Sequence, residues 1–401
     1  MKASDFLILG GGIAGTTAAE VLRELDSYAE ISIIEAEPHP LYSRVWIPKY
    51  LEHKIKRDAL FLRKIQEYAA KKIGLYLSRR VNKVDYQRRE VYTDDGNVFP
   101  YKKLLIASGG APSPWTLPGT ASPEFAGRIL RMHTLDDADN ILAKMKSAAG
   151  KEVLVIGEGF IALEFMEIFL KNNFTVHAVS KGEYFNEKYL GESGGKIMGE
   201  LFLKNEIKVH KKTEPATIHG MEVNFTNGDR VLPELVGVGT GIFRNLNPFG
   251  GIKTGTGILT NEFLETSEEN TFAAGDIAEF PDAYSGATRA LGNWTNAVLQ
   301  GRAAASNMFA SLSGDRSKQM PYQVVPTYNI SILNLRLTFL GFLEDADEIW
   351  EKVYDGAVAR VFLKEKKIRG AVLINRFDDK LKIAELIKAN GEINELEKAF
   401  S

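Results

Sequence analysis

Two stretches of the chain share one pattern of apolar and polar positions. Phe6 to Leu9 is a short apolar run, followed by Gly10, Gly12 and Gly15. "TTAAEVLREL" then spaces its apolar residues as a helix does, and a second apolar run, "ISIIE", ends at Glu35. Lys151 to Ile156 opens the same pattern again, with Gly157, Gly159 and Ala162, the helix-like "IALEFMEIFLKN" and the strand-like "FTVHAVS". Each stretch predicts strand, tight turn, helix, strand, the repeating unit of a parallel sheet. "LLIASGGAP" (104–112) and "TFAAGDIAEF" (271–280) are further strand-like runs that end in glycine. Thr134, with Asp137 three residues on, predicts a capped helix from Thr134 to Ala149. Beyond residue 318 the texture changes. "AVARVFL" and "IRGAVLIN" alternate on either side of "KEKK", predicting a hairpin, and "DKLKIAELIKAN" predicts a helix closed by Gly391.

The glycine spacing carries chemistry because of where it stands. Between a strand and a helix, G-x-G-x-x-G is the fingerprint of a dinucleotide cradle. Gly10 permits the tight turn, Gly12 has no side chain to hold off a pyrophosphate, and Gly15 lets helix and strand pack closely. Ile13 and Ala14 open the helix, whose free N–H groups and positive dipole end face the phosphates. Glu35 follows 20 residues after Gly15 and can accept both hydroxyl protons of an adenosine ribose. In the second stretch Gly157, Gly159, Phe160 and Ile161 take the corresponding places, with Ala162 at the third position. The acid is missing there: Ser180 stands 18 residues past Ala162, with Lys181 next. Serine and lysine can hydrogen-bond and neutralise a 2′-phosphate, which favours NADPH or dual use over strict NADH. The alternative is that Lys181 points to solvent and NADH binds without that anchor. Glu158 adds like charge to a phosphate turn, so an inward-pointing side chain lowers cofactor affinity and an outward one is neutral.

Composition narrows the class. The 401 residues predict two or three domains, and the net charge of −2 gives no general affinity for nucleic acid. Basic clusters such as "HKIKR" and "KEKK" read as solvated surface. No apolar run is long enough for a membrane span, and a strand beginning at Phe6 leaves no room for a signal peptide, so the cytoplasm is the expected location. The chain has no cysteine, which excludes disulfides and thiolate chemistry, and its 6 histidines show no ligand spacing, so no metal site is expected.

Two cradles, Gly10 and Gly157 being 147 residues apart, imply two dinucleotides, most economically a flavin and a nicotinamide. Gly275 and Asp276 end a strand where an acid can bind the ribityl hydroxyls of FAD. At this point the chain resembles the flavin-dependent pyridine nucleotide reductases, in the branch of ferredoxin and rubredoxin reductases, over essentially its whole length. Gly10, Gly12, Gly15 and Glu35 match that family's FAD turn and ribose acid. "YSRVWIPKYL" (42–51) resembles its Tyr-x-Arg-Pro-x-Leu-Ser-Lys segment and carries over Arg44 and Lys49. Ala107, Ser108 and Gly109 resemble its Ala-Thr-Gly strand end. "GVGTGIFRN", with Gly239 and Gly241, resembles the loop crossing under the nicotinamide. Trp294 opens a helix resembling the one that faces the pyrimidine side of the flavin, and Val81 joins the FAD contacts. The resemblance implies a Lys49–Glu164 pair beside flavin N5 as the catalytic residues. It departs from disulfide-reducing relatives, which carry a cysteine near Val45.

The fold implied is α/β: two Rossmann-like domains, for FAD and NAD(P), the second inserted in the first, plus a small α+β C-terminal domain. The expected bounds are 1–112 and 240–318 for the FAD domain, 113–239 for the NAD(P) domain and 319–401 for the last, which often contributes dimer contacts in the resembling enzymes. The function implied is hydride transfer from NADH or NADPH to FAD, then electrons to a rubredoxin or ferredoxin. Two alternatives stay open: an NAD(P)H oxidase or quinone reductase, and a slow-turnover redox-sensing module. The tail "IAELIKANGEINELEKAF" carries many acids and few bases, which disfavours membrane attachment.

Overall fold

Gly10 and Gly157 each end a buried strand in a conformation that suits only glycine, with φ of +106° and +110°. The computed structural model describes residues 2–400, with side chains as far as residue 396, and builds a strand–helix–strand unit around each turn. β1 (Ser4–Leu9), α1 (Ile13–Leu25) and β2 (Ile31–Ile34) form the first. β3 (Glu152–Ile156), α2 (Phe160–Lys171) and β4 (Thr175–Val179) form the second, and α3 (Trp294–Leu312) comes later in the chain. Both strand pairs are parallel, with Phe6 opposite Ile31 and Val153 opposite Val176. Met1 and Ser401, the outermost residues of the expected domains, lie outside the described residues.

The chain divides into two compact units. The first takes Met1–Ser43, Arg57–Ala111 and Ile242–Pro326; the second takes Arg44–Lys56, Pro112–Gly241 and Thr327–Ser401. The segment 44–56 therefore groups with the second glycine cradle, although it precedes it by about a hundred residues. Hydrogen bonds tie it there: Tyr50 Oη donates to Asp139 at 2.9 Å, and Asn172 Nδ2 donates to the Leu51 carbonyl at 3.1 Å. The C-terminal segment joins the same unit by aromatic packing, with the Phe160 ring 4.1 Å from Tyr328 and 4.8 Å from Phe339.

In the first unit, parallel strands run in the order Ile73–Tyr76, β2, β1, Val98–Ile106, Thr271–Ala273. The antiparallel strands Val81–Asp85 and Glu90–Thr93 extend from the beginning of Val98–Ile106. One face of this sheet buries Phe6, Ile8, Ile31, Ile33 and Leu105 beneath α1 and α3. The other buries Leu7, Leu9, Leu104 and Ile106, the alternation expected of strands covered on both sides.

The second unit has a parallel sheet in the order Lys208–His210, β4, β3, Leu235–Val238, Ile129–Leu130. The helix Leu135–Ser147 begins as the capping pattern predicts: Asp137 N donates to Thr134 Oγ1 at 3.0 Å, and Thr134 N donates to the Asp137 carboxylate at 2.8 Å. A five-stranded antiparallel sheet follows from Thr327–Ile332, and its predicted hairpin pairs Ala357–Lys364 with Lys367–Ile374. Glu365 and Lys366 form the two-residue turn, both at positive φ (52° and 64°), the geometry that matches strand twist. Among the described residues, no helix is long and apolar enough to cross a membrane and no cluster of His, Asp and Glu could hold a metal ion.

Candidate functional site

The first cradle is shaped by three glycines with different duties. A Cβ on Gly10 would collide with the Ala107 carbonyl, and one on Gly15 with the Gly10 carbonyl, so both are required by close backbone approach. A Cβ on Gly12 would meet nothing within 4 Å. The space above Gly12 is open, and Gly12 is the N-cap of α1, so the helix's first N–H groups face it. Gly11 N donates to Glu35 Oε2 at 2.5 Å, and Glu37 N donates to Glu35 Oε1 at 2.8 Å. Those two bonds fix a carboxylate at the end of β2, where it can accept ribose hydroxyls.

α3 and the turn before it close the cradle's other side. Gly301 packs on the Ala14 carbonyl, and Gly275, at φ +80°, faces Ala14 Cβ. Gly275 N donates to Gln300 Oε1 at 2.8 Å, and Asn293 N donates to Asp276 Oδ1 at 3.3 Å. Arg244 holds the Asp276 carbonyl through its Nε. Trp294 is the first residue of α3, half-buried behind the Asn293 cap. Two residues that the sequence motifs do not name stand beside it. Asn296 and Gln300 are buried, and their amide groups Asn296 Nδ2 and Gln300 Nε2 have no hydrogen-bond partner among the described residues. Buried donors left unpaired are costly, so a ligand with acceptor oxygens or nitrogens suits this wall. One signal could have found them, since both lie on the buried face of an amphipathic helix where apolar residues are expected.

The second cradle repeats the glycine logic. A Cβ on Gly157 would collide with the Gly239 carbonyl, and one on Gly239 would lie 2.7 Å from Ala162 N, so Gly239 is part of the turn's packing. Gly159 is the N-cap of α2 and, like Gly12, opens on free space. Gly241 follows at φ +102°. The strand-end pair differs from expectation. Ser180 is fully buried, and its hydroxyl lies 2.8 Å from Glu158 Oε1, 3.0 Å from the Tyr184 carbonyl and 3.3 Å from the Gly182 carbonyl. Lys181 is 75% exposed and pairs with Glu214 Oε2 at 2.6 Å. The predicted serine–lysine receptor for a 2′-phosphate is thus already engaged with other groups.

Glu164 sits one turn into α2 and is half-buried. Burial first, then the charges of Glu52 and Glu167, push its carboxyl up to about 8. Glu52 pairs with Lys54, and that hydrogen bond raises the Lys54 ammonium. Burial and then Glu164 also raise the Tyr328 hydroxyl. Lys49 is exposed on the short helix Ile47–Leu51 and lies over the Trp46 ring at 5.8 Å. Among the described residues no ion pair joins Lys49 to Glu164. Lys49 keeps its water on a solvated helix face, and desolvation of the Glu164 carboxyl favours its protonated form.

The sequence profile described as "Pyridine nucleotide-disulphide oxidoreductase" matches residues 4–301. The chain belongs to this family. It is 26% identical over 360 residues to apoptosis-inducing factor 3 of Mus musculus, covering 87% of this chain and 56% of that protein. The chain thus spans little more than half the length of that relative. It is 28% identical over 350 residues to the anthranilate 1,2-dioxygenase system ferredoxin–NAD(+) reductase component of Burkholderia cepacia, covering 85% of this chain and 84% of that one. Its fold matches the chain in the covalent putidaredoxin reductase–putidaredoxin complex with a TM-score of 0.87 at 22% identity, over 99% of each chain.

The family's description names a pyridine nucleotide, and FAD with NADH or NADPH are the two groups the cradles were expected to hold. The residues present fit both groups: open space over Gly12 and Gly159, and unpaired amides at Asn296 and Gln300. The chain itself has no cysteine with which to form the disulfide of the family's name. Other residues expected from the family pattern take these places. Ala107 supports Gly10 from the end of Val98–Ile106, with Ser108 and Gly109 just beyond. Val81 begins a strand and packs on the sheet's second core. Arg44 donates through Nη1 to the His133 carbonyl in the second unit.

Proposed function

We propose that this chain passes hydride from NADH or NADPH to FAD and hands the electrons singly to a small redox protein, a ferredoxin or a rubredoxin. The observation that carries the reading is the pair of glycine cradles on one chain, each with open space above its second glycine. Similarity to a ferredoxin–NAD(+) reductase component over 84% of that protein's length supports the acceptor class. Bound FAD supplies the conversion from two-electron to one-electron chemistry.

The chain's own residues bind and orient. Glu35 holds the adenosine end of FAD, Asp276 the ribityl chain, and Trp294 opens the helix whose N-terminal dipole favours negative charge on the pyrimidine side. Lys49 and Glu164 are the proposed catalytic pair. Burial of Glu164 at the start of α2 supports its part, because a carboxyl held protonated near neutral pH can donate a hydrogen bond.

Anaerobic stopped-flow mixing with NADH and with NADPH tests the reading. Rapid bleaching of the flavin, followed by fast reoxidation by oxidised ferredoxin or rubredoxin, is expected. A chain purified without flavin that refuses FAD on reconstitution overturns it. Rapid reoxidation by a quinone or by oxygen alone overturns the protein acceptor while leaving the flavin chemistry intact.

A further inference from the structure

The two cradles of this chain solve one local problem with the partners exchanged. In the first, the residue after β2 is an acid, Glu35, and it accepts a hydrogen bond from the backbone of Gly11, the middle residue of the glycine turn. In the second, the middle residue is the acid, Glu158, and it accepts a hydrogen bond from Ser180, the residue after β4. The positions correspond one to one: Gly10-Gly11-Gly12 with Gly157-Glu158-Gly159, and Glu35 with Ser180. In both, a carboxylate ends at the meeting point of the turn and the second strand. That point is where a dinucleotide-binding fold reads the adenosine ribose.

We propose that Glu158 is the residue that reads the ribose of the pyridine nucleotide, and that it makes this chain selective for NADH over NADPH. The proposal rests on the reading of the second cradle as the nicotinamide site. Glu158 Oε1 is held by two donors, Ser180 Oγ at 2.8 Å and Asn186 N at 3.1 Å. Oε2 has no partner among the described residues and keeps its capacity to accept a ribose hydroxyl. The side chain is only partly buried, while Ser180 behind it is fully buried. A carboxylate in that place attracts a hydroxyl and repels a 2′-phosphate.

The cations around it do not reverse the sign. Lys181 pairs with Glu214 at 2.6 Å, while Lys211 and Lys212 share Glu183 at 3.1 and 2.9 Å. Each lysine already has a carboxylate, and all three ammonium groups are well exposed, so solvent and salt screen their pull on a phosphate. Ser180 has a single proton, and three oxygens compete for it: Glu158 Oε1 and the carbonyls of Gly182 and Tyr184. The expectation of NADPH or dual use, drawn from Ser180 and Lys181, therefore gives way to NADH.

Equilibrium titration of the oxidised holoenzyme with NAD+ and with NADP+, read by calorimetry, tests this without turnover. NAD+ is expected to bind at least about tenfold more tightly, and Glu158→Gln to shrink that ratio about tenfold, mainly by tightening NADP+. Glutamine keeps an oxygen for Ser180 and Asn186, so the loop stays folded. Ser180→Ala, which leaves the carboxylate on Asn186 N, is expected to preserve the preference. Equal or tighter binding of NADP+ by the unaltered chain, or a ratio indifferent to Glu158→Gln, overturns the proposal. Binding of neither nucleotide overturns the nicotinamide reading itself, and with it this one.

Discussion

Gly11 and Glu35 meet across 2.5 Å, backbone amide to carboxylate, and the bond fastens the first glycine turn to the end of β2. The same carboxylate holds Glu37 N at 2.8 Å, so it is fixed before any ribose arrives. Glu35→Ala removes both bonds and the ribose acceptor together. The expected outcome is a chain that folds but loses FAD on dialysis, with affinity reduced at least about tenfold, a loss of roughly 1.5 kcal/mol or more. Flavin absorbance per mole of protein after gel filtration checks it.

Gly12 and Gly10 separate cofactor binding from folding. Gly12→Ala points a methyl into open space, so the thermal midpoint of the flavin-free chain should move little while FAD binding falls sharply. Gly10→Ala places its methyl on the Ala107 carbonyl at a φ that disfavours side chains, and should destabilise the chain by about 2 kcal/mol or more. Paired melting curves and FAD titrations distinguish the two effects. Equal destabilisation of both variants would contradict the separation.

Glu164 gives the chain a pH dependence of stability with a definite sign. Its carboxyl is raised on folding from the ordinary 4.5 to about 8. A group whose pKa rises on folding stabilises most below its unfolded pKa, and that contribution is lost as pH climbs through the folded pKa. Stability should therefore fall between about pH 4.5 and pH 8 relative to Glu164→Gln, which has no proton to lose. Denaturant midpoints of the two chains at several pH values check it. Parallel curves would show that Glu164 ionises normally.

Asp282 and Arg289 form a pair at 3.1 Å with side chains only 3% and 12% exposed, in the hairpin Ala278–Pro281 to Thr288–Ala290. Asp282 Oδ1 also accepts from Tyr284 N at 3.0 Å and Ser285 N at 2.9 Å. Asp282→Ala takes one carboxylate away from a largely covered guanidinium and removes the acceptor that two turn amides share. The expected loss is about 3 kcal/mol, measured by urea unfolding of the flavin-loaded chain.

Thr134→Ala removes the side-chain half of the cap on Leu135–Ser147 and should cost about 1 kcal/mol in the same assay, with no effect on FAD content.

Much of this architecture is legible in the residue order. The glycine spacings, the capped helix at Thr134 and the hairpin around Glu365 and Lys366 follow from local requirements, each confined to a few consecutive residues. The segment 44–56 was not readable in this way. Its grouping with the second unit depends on Tyr50 finding Asp139, 89 residues away, and Leu51 finding Asn172, 121 residues away. Residue types also do not tell how deeply Lys49 and Glu164 will each be covered. Asn296 and Gln300 were missed for a related reason: two amides on a buried helix face gain meaning only once Gly275 and Tyr322 are seen to occupy one side of each.

Backbone geometry is what the residue order settled by itself. A turn needing positive φ or a bare Cα selects glycine at Gly10 and Gly157 whatever surrounds it, because steric exclusion acts within a few bonds. Side-chain partnership was settled only when distant strands were laid side by side. Ser180 and Glu158 are 22 residues apart, and neither residue by itself indicates which cofactor the cradle prefers. Hydrogen bonds and charge act over a few ångströms of space, so the Ser180–Glu158 partnership exists only where β3 and β4 bring the two ends together.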